Sequence, residues 1–219
     1  MKIVHLGTKH SIINQYIAEI RDIDVQTNRS CFRHNLNRIG QLMAYELSRT
    51  LDFSEKSIQT PLSVTNVETP DDQIVLGTVL RAGLAFHQGF LDIFDKADSA
   101  FVSAYRSYRD TTHRDVKIHI EYIAAPDLEN KTFILVDPML ATGGSIELAY
   151  KAFITKGTPK KLHICSAIAA QPGVEYLQKA FPDDDVILWC AAIDPMLDEH
   201  AYIVPGLGDA GDLAYGEKL

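Results

Sequence analysis

A strand, a short loop and a helix follow one another between residues 133 and 150. Residues 133–136 are apolar and run into Asp137, and a loop rich in small residues then leads to a helical pattern from Ile146. Small residues before a helix let backbone N–H groups approach an anion, and the helix dipole favours negative charge there. Asp137 ends the strand, which is where ligands bind in open α/β sheets. An acid beside a phosphate cradle would repel the phosphate unless the acid faces a sugar hydroxyl or a metal ion. This stretch therefore suggests a phosphorylated sugar, rather than a bare phosphate, as the ligand.

Apolar runs alternate with helical patterns along the rest of the chain. Beside the strand at 133–136, strands are predicted at 73–80, 100–105, 162–169 and 186–193, and helices at 84–94, 173–181 and from the Asp137 loop to about Lys156. The run at 73–80 is nearly continuously apolar and the run at 186–193 is apolar throughout, as expected for strands covered on both faces. The alternation predicts a single domain over residues 1–219 built on a mostly parallel, doubly wound α/β sheet.

Three further segments extend this plan. Helices beginning at Ser11 and near Ser30 predict an N-terminal helical arm, which either contacts another subunit or buries its apolar stripe within the monomer. Pro61 makes residues 57–67 an edge strand or an irregular crossing. The alternating pattern at 116–122 and the basic residues before it predict a projecting β-hairpin. That hairpin is either a lid over an anionic substrate or a solvated surface feature.

Composition narrows the class of protein. Hydrophobic residues make up 46% of the 219 residues and charged residues 23%, which is typical of a soluble globular protein. The net charge of −8 argues against nucleic acid as a partner. The three cysteines form no CxxC pair, so neither a zinc site nor a disulfide framework is expected, and a reducing compartment fits. No apolar run is long enough to span a membrane, and the simplest location is the cytoplasm.

The pattern G-x-G-x-x-G occurs at residues 206–211, close to the C-terminus. A dinucleotide fingerprint needs a strand before it, a helix after it and an acid some way beyond, and there is no room for these. A glycine-rich loop also allows backbone groups to approach a flat ligand such as a base. The chain contains no G-x-x-x-x-G-K-[ST] pattern, so a P-loop NTPase is not expected.

Two arginines follow predicted strands. Arg81 follows the strand at 73–80 and Arg106 the strand at 100–105, so both could meet the phosphate loop at the same sheet edge. Each could otherwise form an ordinary surface salt bridge. His200 and its acidic neighbours Asp194, Asp198 and Glu199 match no metal-ligand spacing, so we interpret them as solvated polar residues and expect no protein-held metal.

These motifs together resemble those of the uracil phosphoribosyltransferases, within the type I phosphoribosyltransferase superfamily. Residues 136–145, V-D-P-M-L-A-T-G-G-S, are similar to the phosphoribosyl-pyrophosphate loop in the version with a single acid before proline. Residues 202–212, Y-I-V-P-G-L-G-D-A-G-D, resemble the uracil-binding loop, and residues 80–84, 105–106 and the helix from Phe32 match further pieces. The resemblance covers nearly the whole chain and implies the type I phosphoribosyltransferase fold.

The resemblance also implies an activity, in which uracil and phosphoribosyl pyrophosphate give uridine monophosphate and diphosphate. Asp137 and Asp209 would be the catalytic acids, and Ile203, Gly208, Asp209 and Ala210 would contact uracil. The phosphoribosyl substrate would be bound by Arg81, Arg106, Asp137, Pro138, Met139, Leu140, Ala141, Thr142, Gly143, Gly144, Ser145 and Asp209. Mg²⁺ would arrive on the diphosphate of the substrate, and a homo-oligomer is expected.

Two alternatives stay open at this point. One is the same class of enzyme acting on a purine base such as xanthine or hypoxanthine, although the loop at 203–212 argues against it. The other is a regulator that binds RNA on the same scaffold, and a chain with a net charge of −8 is a poor match for that role.

Overall fold

The computed structural model describes residues 1–108, 116–183 and 185–218. The strands are β1 (Lys2–His5), β2 (Phe53–Gln59), β3 (Val64–Pro70), β4 (Ile74–Leu80), β5 (Asp98–Tyr108), β6 (Val116–Ala124), β7 (Thr132–Val136), β8 (Met139–Leu140), β9 (Lys161–Ala170), β10 (Val186–Asp194), β11 (Met196–Leu197) and β12 (Ile203–Val204). The α-helices are α1 (Ile12–Arg21), α2 (Ile23–Gln26), α3 (Arg29–Ser48), α4 (Leu84–Leu91), α5 (Gly144–Phe153), α6 (Gln171–Ala180) and α7 (Ala210–Tyr215). Short 3₁₀ turns lie at Leu6–Thr8 and Ile154–Lys156.

The central sheet has the strand order β1-β10-β9-β7-β4-β5-β6, and the short β8 pairs with β9 beyond the end of β7. All of its pairs are parallel except β5 with β6. β7 lies at its centre, between β4 and β9, so Asp137 emerges from the middle of the carboxyl edge. The predicted α/β class and mostly parallel sheet are confirmed.

Side-chain alternation along the strands builds two apolar cores. In β7, Ile134 and Val136 join a core with α1, α3 and α4, while Phe133 and Leu135 join one with α5 and α6. Both faces of β7 are therefore fully covered, which explains why the strand reads as an unbroken apolar run. Helices cover both faces of the sheet, as a doubly wound fold requires.

The N-terminal helices pack on the body of the chain. Ser11 caps α1 by accepting a hydrogen bond from the N–H of Ile13, at 3.3 Å. Leu36 and Met43 of α3 are fully buried in the core beneath the sheet, as is Ile20 of α1. Of the two interpretations of the apolar stripe, burial within the monomer is the one observed.

Three segments differ from the sequence predictions. Residues 57–67 belong to a two-stranded antiparallel hairpin, β2–β3, with Pro61 in its turn rather than in an edge strand. β1 was not predicted, because its four residues are too short to show a pattern. The tail after Asp194 contains β11, β12 and α7, each too short to give a periodic signal.

The predicted basic hairpin lies only partly within the described residues. β5 and β6 pair antiparallel, as expected. Its turn, at residues 109–115, lies outside the described residues. The two alternatives, a lid over the substrate and a solvated surface feature, therefore both stay predictions. Within the described part of the chain, no helix is both long and apolar enough to cross a membrane.

Candidate active site

A cleft of about 530 Å³ opens at the carboxyl edge of the central sheet. Its size falls within the range of small-molecule sites. Its walls are supplied by the end of β4 and the turn after it, Ser103 of β5, the Asp137 loop, the β11–β12 segment, the start of α7 and Lys218. The lining residues are Val79, Leu80, Arg81, Ala82, Ser103, Asp137, Met139, Ala141, Ser145, His200, Ala201, Tyr202, Ile203, Gly208, Asp209, Ala210, Gly211 and Lys218.

Asp137 is held in place directly after the carboxyl end of β7, the central strand of the sheet. It is only 8% exposed, and its N–H donates to the carbonyl of Cys165 at 3.0 Å, which extends the β7–β9 pairing by one residue. Its Oδ1 accepts the N–H of Met139 at 3.1 Å. The next N–H, of Leu140, donates to Ser166 Oγ at 3.0 Å. Both sides of the acid are therefore anchored to β9, and the loop that follows starts from a fixed point.

Glycines shape the remainder of this loop. Gly143 has φ +86°, in the left-handed region, and a side chain there would also lie 2.7 Å from a ring atom of Tyr176. A Cβ on Gly173 of α6 would overlap the carbonyl oxygen of Ala141. The loop therefore packs closely on α6 before α5 begins. The first N–H groups of a helix have no partner within it, so the start of α5 supplies donors suited to a phosphate.

Arg81 reaches the cleft from the turn after β4. Its Nη2 donates to Asp212 Oδ1 at 3.0 Å and to the carbonyl of Gly216 at 3.2 Å. The turn needs glycine at position 83, because a Cβ there would overlap the Thr78 hydroxyl. Arg81 therefore forms the salt bridge that the sequence left open as an alternative, and it also lines the cleft. The side chain of Arg106 lies outside the described part of the structure.

An ion pair that the sequence did not predict holds the glycine-rich loop, residues 206–211, in place. Asp194, at the end of β10, accepts two hydrogen bonds from Arg21 of α1, at 2.7 and 2.8 Å, and a third from the N–H of Gly206 at 2.9 Å. Arg21 also donates to the carbonyl of Gly206, at 3.0 Å. Asp194 is 6% exposed, so its interpretation as a solvated residue was wrong. The sequence signal that could have indicated its role is the position of this acid directly after the predicted buried strand at 186–193.

Two residues of the same loop face the cleft in different ways. Ile203 is 4% exposed and forms part of the core as well as the cleft wall. Gly208 has φ +92°, and a Cβ built there meets no atom within 4 Å. The backbone at Gly208 is therefore open to the cleft, as required for direct contact between a base and main-chain groups.

Asp209 caps the last helix and is charged at neutral pH. Its Oδ1 accepts the N–H of Asp212 at 3.0 Å, and its Oδ2 lies 3.0 Å from Lys218 Nζ. Burial would raise the pKa of this carboxyl, but the hydrogen bond from Asp212 and the Lys218 ammonium outweigh it and hold the pKa below its ordinary value. An ionised carboxylate of this kind tolerates positive charge that develops nearby.

The acidic loop around His200 has a structural explanation. Asp198 Oδ1 accepts the N–H groups of His200 and Tyr202, at 2.9 and 2.8 Å, and so forms the turn between β11 and β12. Among the described residues, no group of three or more His, Cys, Asp or Glu side chains is arranged to hold a metal ion.

The structure thus brings most of the predicted site residues to one cleft. Those that line it are Arg81, Asp137, Met139, Ala141, Ser145, Ile203, Gly208, Asp209 and Ala210. Of the other described loop residues, Pro138, Leu140, Gly143 and Gly144 shape the backbone, and Thr142 is exposed. Ser103 and Lys218 also line the cleft but belong to no recognisable motif, so the sequence did not predict them. His200, interpreted from the sequence as a solvated residue, and Tyr202, the first residue of the loop motif, line it as well.

A mostly parallel, doubly wound sheet with an acid-led phosphate loop at its carboxyl edge, faced by a glycine-rich loop, defines a phosphoribosyltransferase of type I. The family model described as uracil phosphoribosyltransferase matches residues 7–217. This chain belongs to the uracil phosphoribosyltransferase family, and the resemblance found in the sequence is confirmed.

Individual relatives agree with the family assignment. The chain is 55% identical to a uracil phosphoribosyltransferase of Porphyromonas gingivalis over 219 residues, which is 100% of both chains. It is 39% identical to one of Burkholderia pseudomallei over 95% of this chain and 93% of that protein. A solved structure of a protein from Aquifex aeolicus has a TM-score of 0.87 at 31% identity and covers 98% of both chains.

Proposed function

We propose that this protein transfers the 5-phosphoribosyl group of phosphoribosyl pyrophosphate to N1 of uracil, giving uridine monophosphate and diphosphate. The observation that carries the proposal is the placement of the Asp137 loop and the glycine-rich loop on one cleft of about 530 Å³. One loop suits a ribose phosphate and the other a flat base. Family membership supports uracil as that base and makes the protein a pentosyltransferase.

The phosphoribosyl substrate is assigned to the loop and the strand-end arginines. Asp137 would hold the ribose hydroxyls, since it is anchored at the centre of the sheet edge and lines the cleft. The 5-phosphate would lie on residues 138–145 at the start of α5. Arg81 would exchange Asp212 for a phosphate group, because guanidinium pairs well with phosphate oxygens. Arg106 is assigned to the phosphate groups from the sequence resemblance alone.

Uracil is assigned to the glycine-rich loop. Ile203, Gly208 and Ala210 would meet the base largely through backbone donors and acceptors, and the open space at Gly208 supports such an approach. Asp209 would lie between base and ribose. Binding the base there holds its N1 in line with the ribose carbon, which removes much of the entropic barrier to reaction.

The chemistry needs no covalent intermediate with the protein. The bond from ribose C1 to the diphosphate oxygen breaks, and its electron pair leaves with the diphosphate. Uracil N1 supplies the electron pair of the new bond and releases its proton to solvent water. Positive charge on the ribose ring in the transition state is favoured by the nearby carboxylates Asp137 and Asp209, and Arg81 stabilises the departing negative charge.

Mg²⁺ fits this cleft as part of the substrate. The acids that line the cleft, Asp137 and Asp209, are hard oxygen donors of the kind Mg²⁺ accepts, without forming a cage of three or more ligands among the described residues. Bound mainly through diphosphate oxygens and water, the ion would neutralise charge on the leaving group.

The test is formation of uridine monophosphate from uracil and phosphoribosyl pyrophosphate, with and without Mg²⁺. We expect turnover only when the metal is present. A panel of bases in competition then checks specificity, and turnover of xanthine or hypoxanthine without uracil would overturn the assignment. Salt-dependent RNA binding in a protein that turns over no base would favour the regulator instead.

We also propose that the chain forms a homo-oligomer through the β2–β3 hairpin. Both faces of this ribbon are exposed, and its apolar residues include Leu62 at 97% exposure and Val64 at 58%. A two-stranded ribbon is marginally stable alone, and exposed apolar residues concentrated on it favour a protein partner. Sedimentation of the wild type and of Leu62→Asp/Val64→Asp tests this. A wild type that sediments as a monomer contradicts it.

A single domain and a cytoplasmic location complete the proposal. The two apolar cores lie on opposite faces of one sheet, which supports one domain over residues 1–219. All three cysteines are free thiols, as expected in a reducing compartment. If limited proteolysis released a stable fragment that lacks part of the central sheet, the single-domain proposal would be contradicted. Localisation of a tagged protein tests the cytoplasmic location.

A further inference from the structure

The last residues of the chain fold back onto the cleft. Gly216, at φ +94°, ends α7 and turns the chain. Lys218 then reaches the cleft wall, where its Nζ lies 3.0 Å from Asp209 Oδ2 and 3.7 Å from Asp212 Oδ1. Its side chain is 60% exposed, and exposed ion pairs contribute little to stability. A contribution to folding therefore does not explain this contact.

Lys218 belongs to a chain of alternating charges. Asp209 contacts Lys218, Lys218 contacts Asp212, and Asp212 contacts Arg81 at 3.0 Å. Arg81 closes the arrangement by donating to the carbonyl of Gly216, two residues before Lys218. The backbone N–H of Asp212 fixes one oxygen of Asp209, and Lys218 fixes the other.

We infer that Lys218 is a positioning residue of the transfer site, where it fixes the Asp209 carboxylate and offsets the negative charge that faces the incoming diphosphate. This inference rests on the proposed function, because Asp209 is the group placed between base and ribose. Besides Lys218, the charged or titratable side chains lining the same cleft are Arg81, Asp137, His200, Tyr202 and Asp209, with Asp212 beside them. Without Lys218, the three acids would face an anionic substrate with Arg81 as the one described permanent cation.

The consequence is specific. Loss of the Lys218 ammonium removes one of the two contacts that hold the Asp209 carboxylate, so this group can rotate. The loss also increases the repulsion between the acids of the cleft and the diphosphate. We expect KM for phosphoribosyl pyrophosphate to rise and kcat to fall. KM for uracil should change less, because the backbone at Gly208 does not depend on Lys218.

The experiment compares Lys218→Met with Lys218→Arg. Methionine keeps the length of the side chain and removes its charge, whereas arginine keeps the charge. We expect kcat/KM for phosphoribosyl pyrophosphate to fall roughly tenfold in Lys218→Met and to stay within about threefold of wild type in Lys218→Arg. Thermal melting should be the same in all three proteins. The acid limb of the pH profile should move to higher pH in Lys218→Met, which a merely structural role would not produce.

A second measurement does not require turnover. The carboxyl carbon of Asp209 can be titrated by NMR in wild type and in Lys218→Met, and its pKa should be higher in the variant. A Lys218→Met protein with wild-type kcat/KM, or an Asp209 titration that does not move, would overturn the inference. If wild type makes no uridine monophosphate, the proposed function fails, and the NMR titration still decides whether Lys218 controls Asp209.

Discussion

Arg21 and Asp194 form a two-pronged ion pair that joins the first helix to the end of β10, with N–O distances of 2.7 and 2.8 Å. The pair also binds both backbone groups of Gly206, through Arg21 to its carbonyl and through Asp194 to its N–H. The glycine-rich loop is therefore placed by two residues that lie 173 positions apart in the sequence. Neither of them lines the cleft.

The first prediction concerns this pair. Arg21→Met leaves Asp194 buried without its cation, and we expect the free energy of unfolding to fall by about 3 kcal/mol. We expect a value at the lower end of the range for broken buried ion pairs, because the Arg21 side chain is 22% exposed. Urea denaturation measures the loss. The control is Arg49→Met, whose partner Glu46 is exposed, and it should cost less than about 1 kcal/mol. Equal effects of the two substitutions would contradict the role of Arg21.

The second prediction concerns Asp137. Asp137→Asn keeps an oxygen that can accept the N–H of Met139 but removes the charge, so folding should be retained. We expect kcat to fall by about 10²-fold or more, because the carboxylate acts on the positive ribose of the transition state. Steady-state kinetics and a melting curve measure both effects. Asp127→Asn, in an exposed turn remote from the cleft, is the matched control. Near-normal turnover by Asp137→Asn would rule out the proposed ribose role.

The third prediction concerns the open backbone at Gly208. Alanine and valine are both strained by the positive φ of this residue, and valine is the more strained because it is β-branched. Valine also fills more of the open space beside the backbone. We expect Gly208→Val to abolish measurable use of uracil and Gly208→Ala to raise KM for uracil by a smaller factor. KM for phosphoribosyl pyrophosphate should change little in the alanine variant. Identical losses in both variants would indicate strain rather than contact with the base.

The fourth prediction concerns pH. Burial lowers the pKa of His163 to about 4, and its Nδ1 accepts a hydrogen bond from Trp189 Nε1 at 3.1 Å. Because the folded pKa lies below the unfolded value, the unfolded chain binds the proton more tightly. This stability is fully present above about pH 6.5 and is lost as the pH falls towards 4.

The loss should approach about 3 kcal/mol at pH 4. His163→Gln keeps an acceptor for Trp189 but does not titrate. We therefore expect the free energy of unfolding to depend less steeply on pH in the variant than in wild type between pH 6.5 and 4. Parallel curves for the two proteins would show that His163 is not the group responsible.

The sequence predicted the parts of this protein that depend on local patterns. The mostly apolar runs of β4, β7, β9 and β10 identified buried parallel strands, because strands covered on both faces show no regular polar alternation. The Asp137 loop and the loop at 203–212 were recognisable because glycines and hydroxyl residues suit close backbone approach to a ligand. Those two segments were sufficient to indicate the family and the uracil specificity.

Only the tertiary structure decided how these segments are held together. β1, β12 and α7 are too short for a periodic signal, and their positions depend on long-range pairing. Arg21 and Lys218 belong to none of the sequence motifs, and their ion pairs depend on distances that residue spacing does not reveal. The stretch from Asp137 to Ser145 thus predicted by itself the part of the cleft that we assign to the sugar phosphate. The arrangement of the part that we assign to the base depends on contacts between residues that are far apart in the chain.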